Sequence, residues 1–383
     1  MRKYHYTMWP LFDRSSYVFL FCLFVGIFSL QISAQTLDGA IHDVTAPLEI
    51  LRSFTRPKTN YSGILHMKYT VKYERDFKLD SINEELCLSW EEAWPSTGDR
   101  MDTFLHFRKK KNSTDRSTKS TNVTETSKKQ RSKRRIFRND NRVPISLRRY
   151  GHRFPFVSVV KLSTGCTGTL VSPQHVLTAA HCIHNQSDYV TGYKTLKVCI
   201  LPKSRFSRRR FHCIKVNSTF LPMGWLIGNE NIASRFDYAL LKLEQKHTKP
   251  YFELDVFTTK RLWKIRPPIL HFTAFEDDKP PNTLWYRRCP LQYMDDHVLY
   301  HHCDAQPGSS GAGVYTFTKF RKEWKRRLIG VFSGYRWEKF GSWKRARDFN
   351  AAIRMSISKY LQICRWMGRY ASKTCKRFKR QYD

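Results

Sequence analysis

From residue 136 onward the chain is divided into short apolar or alternating runs. These are Phe156–Leu162, Thr169–Ser172, Val176–Ala180, Leu196–Leu201, Tyr238–Leu243, Ile269–Phe275, Gly313–Phe317, Leu328–Phe332 and Phe349–Ile353. Gly, Pro, Asn or Asp punctuates most of the gaps. Many short strands separated by turn residues predict a mostly β fold, an antiparallel sandwich or barrel. One helix-like stretch closes the chain. Ser356 is placed to cap it, and Ile357, Tyr360, Leu361, Cys364 and Met367 recur on one face at helical spacing.

Upstream the texture differs. Residues 35–107 mix apolar and polar side chains, with strand-like alternation at Ile64–Tyr73 and an acidic, aromatic patch at Glu84–Trp94. Residues 108–135 are nearly all Lys, Arg, Ser, Thr and Asn, and Val123 is their one apolar side chain. Such a stretch buries too little surface to offset its ordering entropy, so it reads as an exposed linker. It ends in Arg131-Ser132-Lys133-Arg134-Arg135, a dibasic cluster open to processing proteases of the furin kind. At the start, Arg2, Lys3 and Arg14 precede the apolar run Tyr17–Leu30 and the small-residue end Ile32-Ser33-Ala34. This reads as a signal peptide cleaved after Ala34. The expected division is therefore a signal peptide at 1–34, an N-terminal region with its basic linker at 35–135, and a main domain at 136–383. No later apolar stretch is long enough to span a membrane, so the expected product is secreted and extracellular.

Secretion changes how the cysteines read. Cys22 leaves with the signal peptide and nine remain. An oxidising compartment favours disulfides over zinc sites or catalytic thiols. Proximity suggests Cys199–Cys213, Cys289–Cys303 and Cys364–Cys375, with Cys87 left over. Five Asn-x-Ser/Thr sequons, at Asn60, Asn112, Asn122, Asn185 and Asn217, fit a glycosylated product. Lys and Arg number 68 against 32 Asp and Glu, a formal charge of +36. Outside the cell the matching polyanions are sulfated glycans and extracellular matrix. Arg208-Arg209-Arg210, Lys319–Arg327 (interrupted by Phe320 and Trp324) and Arg369–Arg380 are the basic candidates. No nucleic-acid motif is present, and nucleic-acid binding is not expected.

Three separated stretches carry chemistry. In Val176-Leu177-Thr178-Ala179-Ala180-His181-Cys182 an apolar strand gives way to small residues and then to His181. A Cys166–Cys182 bridge would staple that loop, and a general base must be held within hydrogen-bond reach of its nucleophile. In Gly308-Ser309-Ser310-Gly311, Ser310 is suited to a sharp turn with its hydroxyl presented. Gly308 lets the backbone turn the N–H groups of Gly308 and Ser310 inward as an oxyanion hole. In Phe236-Asp237-Tyr238-Ala239-Leu240-Leu241, one carboxylate opens an apolar strand and needs a partner such as an imidazole N–H. The chain order His181, Asp237, Ser310 is one of the known orders of the Ser-His-Asp triad. Together they predict a serine endopeptidase acting on protein or peptide substrates, without metal or organic cofactor.

These residues resemble a known family. Gly165-Cys166-Thr167-Gly168-Thr169-Leu170-Val171 with Val176–Cys182 resembles the histidine-loop signature of trypsin-like proteases. Phe236–Leu241 resembles their aspartate strand, and Gly308–Gly311 their nucleophile motif. Ile329-Gly330-Val331-Phe332-Ser333-Gly334 is similar to the strand that pairs with substrate backbone. More closely, His152–Phe156, Cys303–Gly308 and Tyr360–Cys364 resemble a vertebrate group of secreted serine proteases, numbers 23 and 35. The resemblance implies two packed antiparallel six-stranded barrels with a C-terminal helix and the triad in the cleft between them. They would be preceded by a partly disordered pro-region, as in a zymogen. It implies substrate contact at Ser333 and Gly334. Asp304 lies at the offset of the basic-specificity aspartate, although Cys303 directly before it leaves a loop-capping task open as well. Two departures stand out. Ser309 occupies the position where the family usually has the Asp that receives a new N-terminus, so Ile136, exposed by cleavage after Arg135, would not find that carboxylate. The group also includes a member considered inactive, with Thr as its nucleophile, whereas this chain keeps Ser310. The competing expectation is therefore a pseudoprotease that binds extracellular polyanions or matrix partners through basic surfaces.

Overall fold

A computed structural model of the chain describes residues 58–59, 65–74, 89–108, 136–137, 139–201, 211–257, 267–320, 323–339 and 347–368. The N-terminal strands are β1 (Lys58–Thr59), β2 (Leu65–Glu74), β3 (Trp90–Ala93) and β4 (Arg100–Arg108), followed by β5 (Val143–Ile145). A first group follows: β6 (Val159–Leu162), β7 (Thr167–Ser172), β8 (His175–Thr178), β9 (Lys197–Ile200), β10 (His212–Pro222) and β11 (Ala239–Leu243). The short β12 (Glu253–Leu254) leads to the second group: β13 (Ile269–Ala274), β14 (Leu284–Met294), β15 (Val298–His301), β16 (Gly313–Phe320), β17 (Glu323–Glu338) and β18 (Arg347–Arg354).

Both groups close on themselves. In the first the order is β10-β11-β8-β7-β6-β9, and β9 pairs back onto β10. In the second it is β17-β16-β13-β14-β15-β18, and β18 pairs back onto β17. Every pairing within these rings is antiparallel. The result is two six-stranded barrels, as the resemblance implied. Closure removes the edge strands that an open sheet would expose. The first barrel is filled by Val160, Leu162, Leu170, Val176, Val198 and Leu241, each at most 1% exposed. The second is filled by Leu270, Leu299, Val314 and Ile329 around Phe272 and Phe332, whose rings stack at 5.1 Å.

Each of the nine apolar runs falls on a strand. The sequence reading passed over β10, β14 and β15, and the reason is alternation against solvent. In β10, Ile214 and Val216 face the core while Lys215 and Asn217 are exposed, so half the strand is polar. In β14, Arg287 and Pro290 break the apolar pattern, yet Arg287 is fully buried. Six of the described strands, β1–β5 and β12, lie outside the rings. β5 pairs β14, β12 runs parallel to β17, and β3 pairs β10. β4 then pairs β3, and β2 runs parallel to β4, so the first sheet extends into residues upstream of the linker.

The closing helix spans Ile357–Met367, and Ser356 caps it by accepting from the Lys359 N–H at 3.4 Å. Its buried face differs from the expected one. Ile357 and Leu361 are exposed, while Tyr360, Ile363, Cys364, Trp366 and Met367 are buried against the first barrel. Lys359 and Gln362 join them because each finds carbonyl or hydroxyl partners. Lys359 Nζ donates to the His297 carbonyl at 3.2 Å, and Gln362 Oε1 accepts from Tyr238 Oη at 2.5 Å. Periodicity alone could not reveal polar residues satisfied from across the fold.

A buried ion cluster ties distant segments of the second half together. Arg287 Nη2 donates to Glu276 Oε2 at 2.6 Å, and Arg142 Nη1 approaches the same oxygen at 3.0 Å. Arg142 also bonds Asp140 and Asp278. Burial pulls the Arg287 guanidinium down to about 10, against the opposing charge of Glu276. Replacing Glu276 with Ala leaves that guanidinium buried without its carboxylate. We expect Glu276→Ala to lower unfolding stability by about 3–5 kcal/mol, read from the urea midpoint at neutral pH.

Candidate active site

The register of the first barrel brings two of the three candidate residues together. β8 and β11 run antiparallel with Thr178 opposite Ala239. Three residues past the end of β8 and two before the start of β11 therefore meet, and those residues are His181 and Asp237. His181 sits in a single 3-10 turn, Ala180–Cys182. The Cys166–Cys182 disulfide, with Cα atoms 6.0 Å apart, closes that turn onto the start of β7.

Asp237 is 2% exposed and has a full set of partners. His181 N–H donates to its Oδ1 at 2.9 Å, and His181 Nδ1 donates to its Oδ2 at 2.7 Å. Ser333 Oγ donates to the same Oδ2 at 2.5 Å. Burial would push this carboxyl up. The His181 charge and the hydrogen bonds from His181 and Ser333 outweigh burial and hold it at about 2. On its other side, His181 Nε2 accepts from Ser310 Oγ at 2.6 Å. One hydrogen-bonded line thus runs Ser310, His181, Asp237, with Ser333 bracing its far end. Ser310 and Asp237 are buried, while the His181 side chain keeps 29% of its surface accessible.

The nucleophile turn is held by the first barrel. Thr167 N–H donates to the Ser310 carbonyl at 2.9 Å, and Thr167 Oγ1 donates to the Gly308 carbonyl at 2.8 Å. Gly311, at φ 81°, packs so close that a Cβ there would lie 2.1 Å from Thr178 Oγ1 and 2.2 Å from the Thr167 carbonyl. Gly308 is also left-handed, at φ 92°. Such backbone favours glycine, and it is what turns the chain around Ser310.

Two of the residues expected at the substrate have internal partners. Asp304 is fully buried, and its carboxylate is taken up by main chain: Phe137 N–H donates to Oδ1 at 2.6 Å and Asn141 N–H to Oδ2 at 2.9 Å. With both oxygens engaged by the segment that follows the linker, the geometry of Asp304 matches the loop-capping alternative. The Ser333 side chain supports Asp237, a contact that its motif position gave no sign of. Gly334 pairs with Ala351 of β18 just past a bulge at Ser333. Ser309 closes its own turn, donating through Oγ to the Gln306 carbonyl at 2.5 Å.

The remaining candidates sort as follows. Cys199–Cys213 and Cys289–Cys303 are disulfides, and Cys364 is disulfide-bonded too. Cys87 and Cys375 lie outside the described residues. Two His/Cys clusters have metal-like spacing, Cys166 with His181 and Cys182, and Cys289 with His301 and Cys303. In both the sulfurs are bonded to each other, which leaves one imidazole in each. Asn185 and Asn217 are exposed, and Asn60, Asn112 and Asn122 lie outside the described residues. In the basic run 319–327, Trp324 is 55% exposed and Arg326 lies over the Phe317 ring at 4.8 Å. Arg327 points away from any such surface, since it is buried against Glu253. Arg208–Arg210 and Arg369–Arg380 are outside the described residues. Among the described residues no helix is long and apolar enough to cross a membrane.

Two expectations follow. Asp304→Ala leaves the Phe137 and Asn141 N–H groups without their carboxylate acceptor and opens a cavity at a fully buried site, and should cost about 1–3 kcal/mol in urea unfolding, with no change in preference between basic and neutral substrate side chains. Asp237 has a folded carboxyl held below the ordinary value of roughly 3.9, so its stabilisation is present above that pH and lost as pH falls toward 2. The stability gap between wild type and Asp237→Asn should therefore shrink by on the order of 2 kcal/mol between pH 6 and pH 2, measured by denaturant unfolding across that range.

Comparison with known proteins agrees with this architecture. The family model for trypsin matches residues 147–256, which include His181 and Asp237. Serine protease 23 of Bos taurus is 40% identical over 260 residues, covering 63% of this chain and 68% of its own. The Homo sapiens protein of the same name is 40% identical over 257 residues, covering 62% and 66%. Inactive serine protease 35 of Mus musculus is 35% identical over 286 residues, covering 62% and 69%. Among solved structures, a Glu endopeptidase in complex with MPD aligns at 18% identity and a TM-score of 0.45, over 60% of this chain and 97% of its own. With this sequence likeness added to the barrels and the His181–Asp237–Ser310 line, the chain belongs to the trypsin-like serine protease family.

Proposed function

We propose that the chain is a secreted serine endopeptidase that hydrolyses peptide bonds through an acyl-enzyme. The observation that carries this reading is the hydrogen-bonded line from Ser310 Oγ through His181 to Asp237, at 2.6 and 2.7 Å. Both lengths suit proton transfer and its support.

The steps follow from the donors and acceptors. Ser310 Oγ attacks the scissile carbonyl carbon while His181 Nε2 takes the hydroxyl proton. The carbonyl oxygen becomes an oxyanion at the N–H groups of Gly308 and Ser310. Asp237 holds the imidazole with its proton on Nδ1 and stabilises the imidazolium. The tetrahedral adduct collapses, the C–N bond breaks, and His181 returns its proton to the departing amine. The Ser310 ester remains. Water then gives a proton to His181 and attacks the ester carbon, and collapse of that adduct releases the acid and restores the hydroxyl. An extended substrate would add its backbone at Ser333–Gly334 of β17. That stretch pairs with β18 on one side, and the register with β16 ends at Val331. Secretion is supported by three described disulfides and a further bonded cysteine at Cys364, bonds that persist in oxidising compartments.

The rival reading is a pseudoprotease. The relatives include a protein named inactive, but the side chains needed for acyl transfer are all present here. An organophosphonate probe separates the two. Wild-type protein should form a covalent adduct, Ser310→Ala should form none, and peptide hydrolysis should fall by roughly 10⁴-fold or more in His181→Ala. A folded wild-type protein, processed in the linker, that refuses the probe ends the endopeptidase reading.

A further inference from the structure

Residues upstream of the linker extend the sheet of the first barrel. β10 is eleven residues long, and β9 pairs only with its first part, His212–Lys215. β11 occupies the opposite edge of the later part. Past Lys215, the edge that β9 leaves is taken by β3, with Ala93 opposite Thr219, Glu92 opposite Phe220, Glu91 opposite Leu221 and Trp90 opposite Pro222. The pairing continues one residue further, where Met223 N–H donates to the Ser89 carbonyl at 2.8 Å. Gln362 of the closing helix donates to the same carbonyl at 3.2 Å.

The side chains add to the ladder. Trp90 is 8% exposed and Ala93 1%, and both belong to the core that holds Leu221, Trp225 and Trp366. The Arg365 guanidinium covers the Trp90 ring at 4.8 Å. Tyr189 Oη donates to Glu91 Oε1 at 2.6 Å, and Arg100 Nη2 donates to Asp188 Oδ1 at 2.8 Å. The segment is therefore held from β10, from the loop after His181 and from the closing helix. Taking it away would expose a row of backbone donors and acceptors together with apolar core.

We propose that residues 89–108 stay on the protease after cleavage in the basic linker, so that processing yields a two-chain protein joined by strand pairing and not a released propeptide. The described contacts are made by residues 89–100, upstream of the linker, so cutting the linker removes none of them. The proposal is independent of the catalytic reading, because it concerns the side of the barrel that β3 covers.

The test uses the full-length protein with Cys87→Ser, so that no disulfide through that cysteine can hold the fragment, and with a recognition site for a sequence-specific protease inserted in the linker. The folded protein is cut and passed over a gel-filtration column without denaturant. The N-terminal fragment should co-elute with the catalytic fragment, and the thermal midpoint should match that of the uncut chain. Trp90→Ala should speed loss of the fragment by at least about tenfold, as truncation of a buried aromatic anchor does. Arg365→Ala, which keeps the buried ring, is the milder variant if Trp90→Ala does not fold. A wild-type fragment that elutes alone, from a catalytic fragment that keeps its thermal midpoint, overturns the proposal.

Discussion

A carboxylate with 2% of its surface exposed is unstable unless its charge is met, and at Asp237 it is met from both barrels. His181 supplies a main-chain and a ring N–H from the first barrel, and Ser333 supplies a hydroxyl from β17 of the second. The interaction fixes the imidazole and also fixes how the barrels meet. If the register of β8 on β11 slipped by one residue, His181 would no longer face Asp237. If β17 moved, Ser333 would leave the shared oxygen. The core around these strands holds that alignment, and the Cys166–Cys182 bridge keeps the histidine turn from wandering.

The nucleophile loop is clamped with the same thoroughness, but by different partners. Thr167 holds it from the first barrel, and Gly311 fits only because it lacks a Cβ. From the other direction, Gln306 N–H donates to Glu276, the centre of the buried ion cluster, and Asp304 accepts from the main-chain N–H groups of Phe137 and Asn141. The chain just after the linker is thereby wired to the loop that carries Ser310. Where the family usually keeps an aspartate beside the nucleophile, Ser309 bonds within its own turn, and a carboxylate five residues earlier anchors the N-terminal segment instead.

The three candidate site residues were legible because each stands out from its surroundings. An imidazole after small residues, a lone acid at the head of an apolar strand and a serine between glycines are local anomalies that packing alone does not explain. The barrels were legible as nine apolar runs, though closure came from resemblance and not from pattern. What escaped the sequence depends on long-range partners. Asp304 bonds backbone N–H groups more than 160 positions away, which no side-chain pattern encodes. Trp90 and Ala93 are core residues only because β10 outruns β9. Arg287 interrupts the apolar pattern of β14 and is buried all the same, since Glu276 meets it from a neighbouring strand end. The closing helix misled for a similar reason, with Gln362 drawn inward by Tyr238 and Leu361 left outside.

The most direct measurement of the central bond is proton NMR of the folded protein in the far-downfield region, where an imidazole Nδ1–H held by a buried carboxylate resonates. The account predicts one such resonance in wild type, retained in Ser310→Ala and lost in Asp237→Asn. A folded wild-type protein without that resonance, or one whose resonance survives Asp237→Asn, would contradict it.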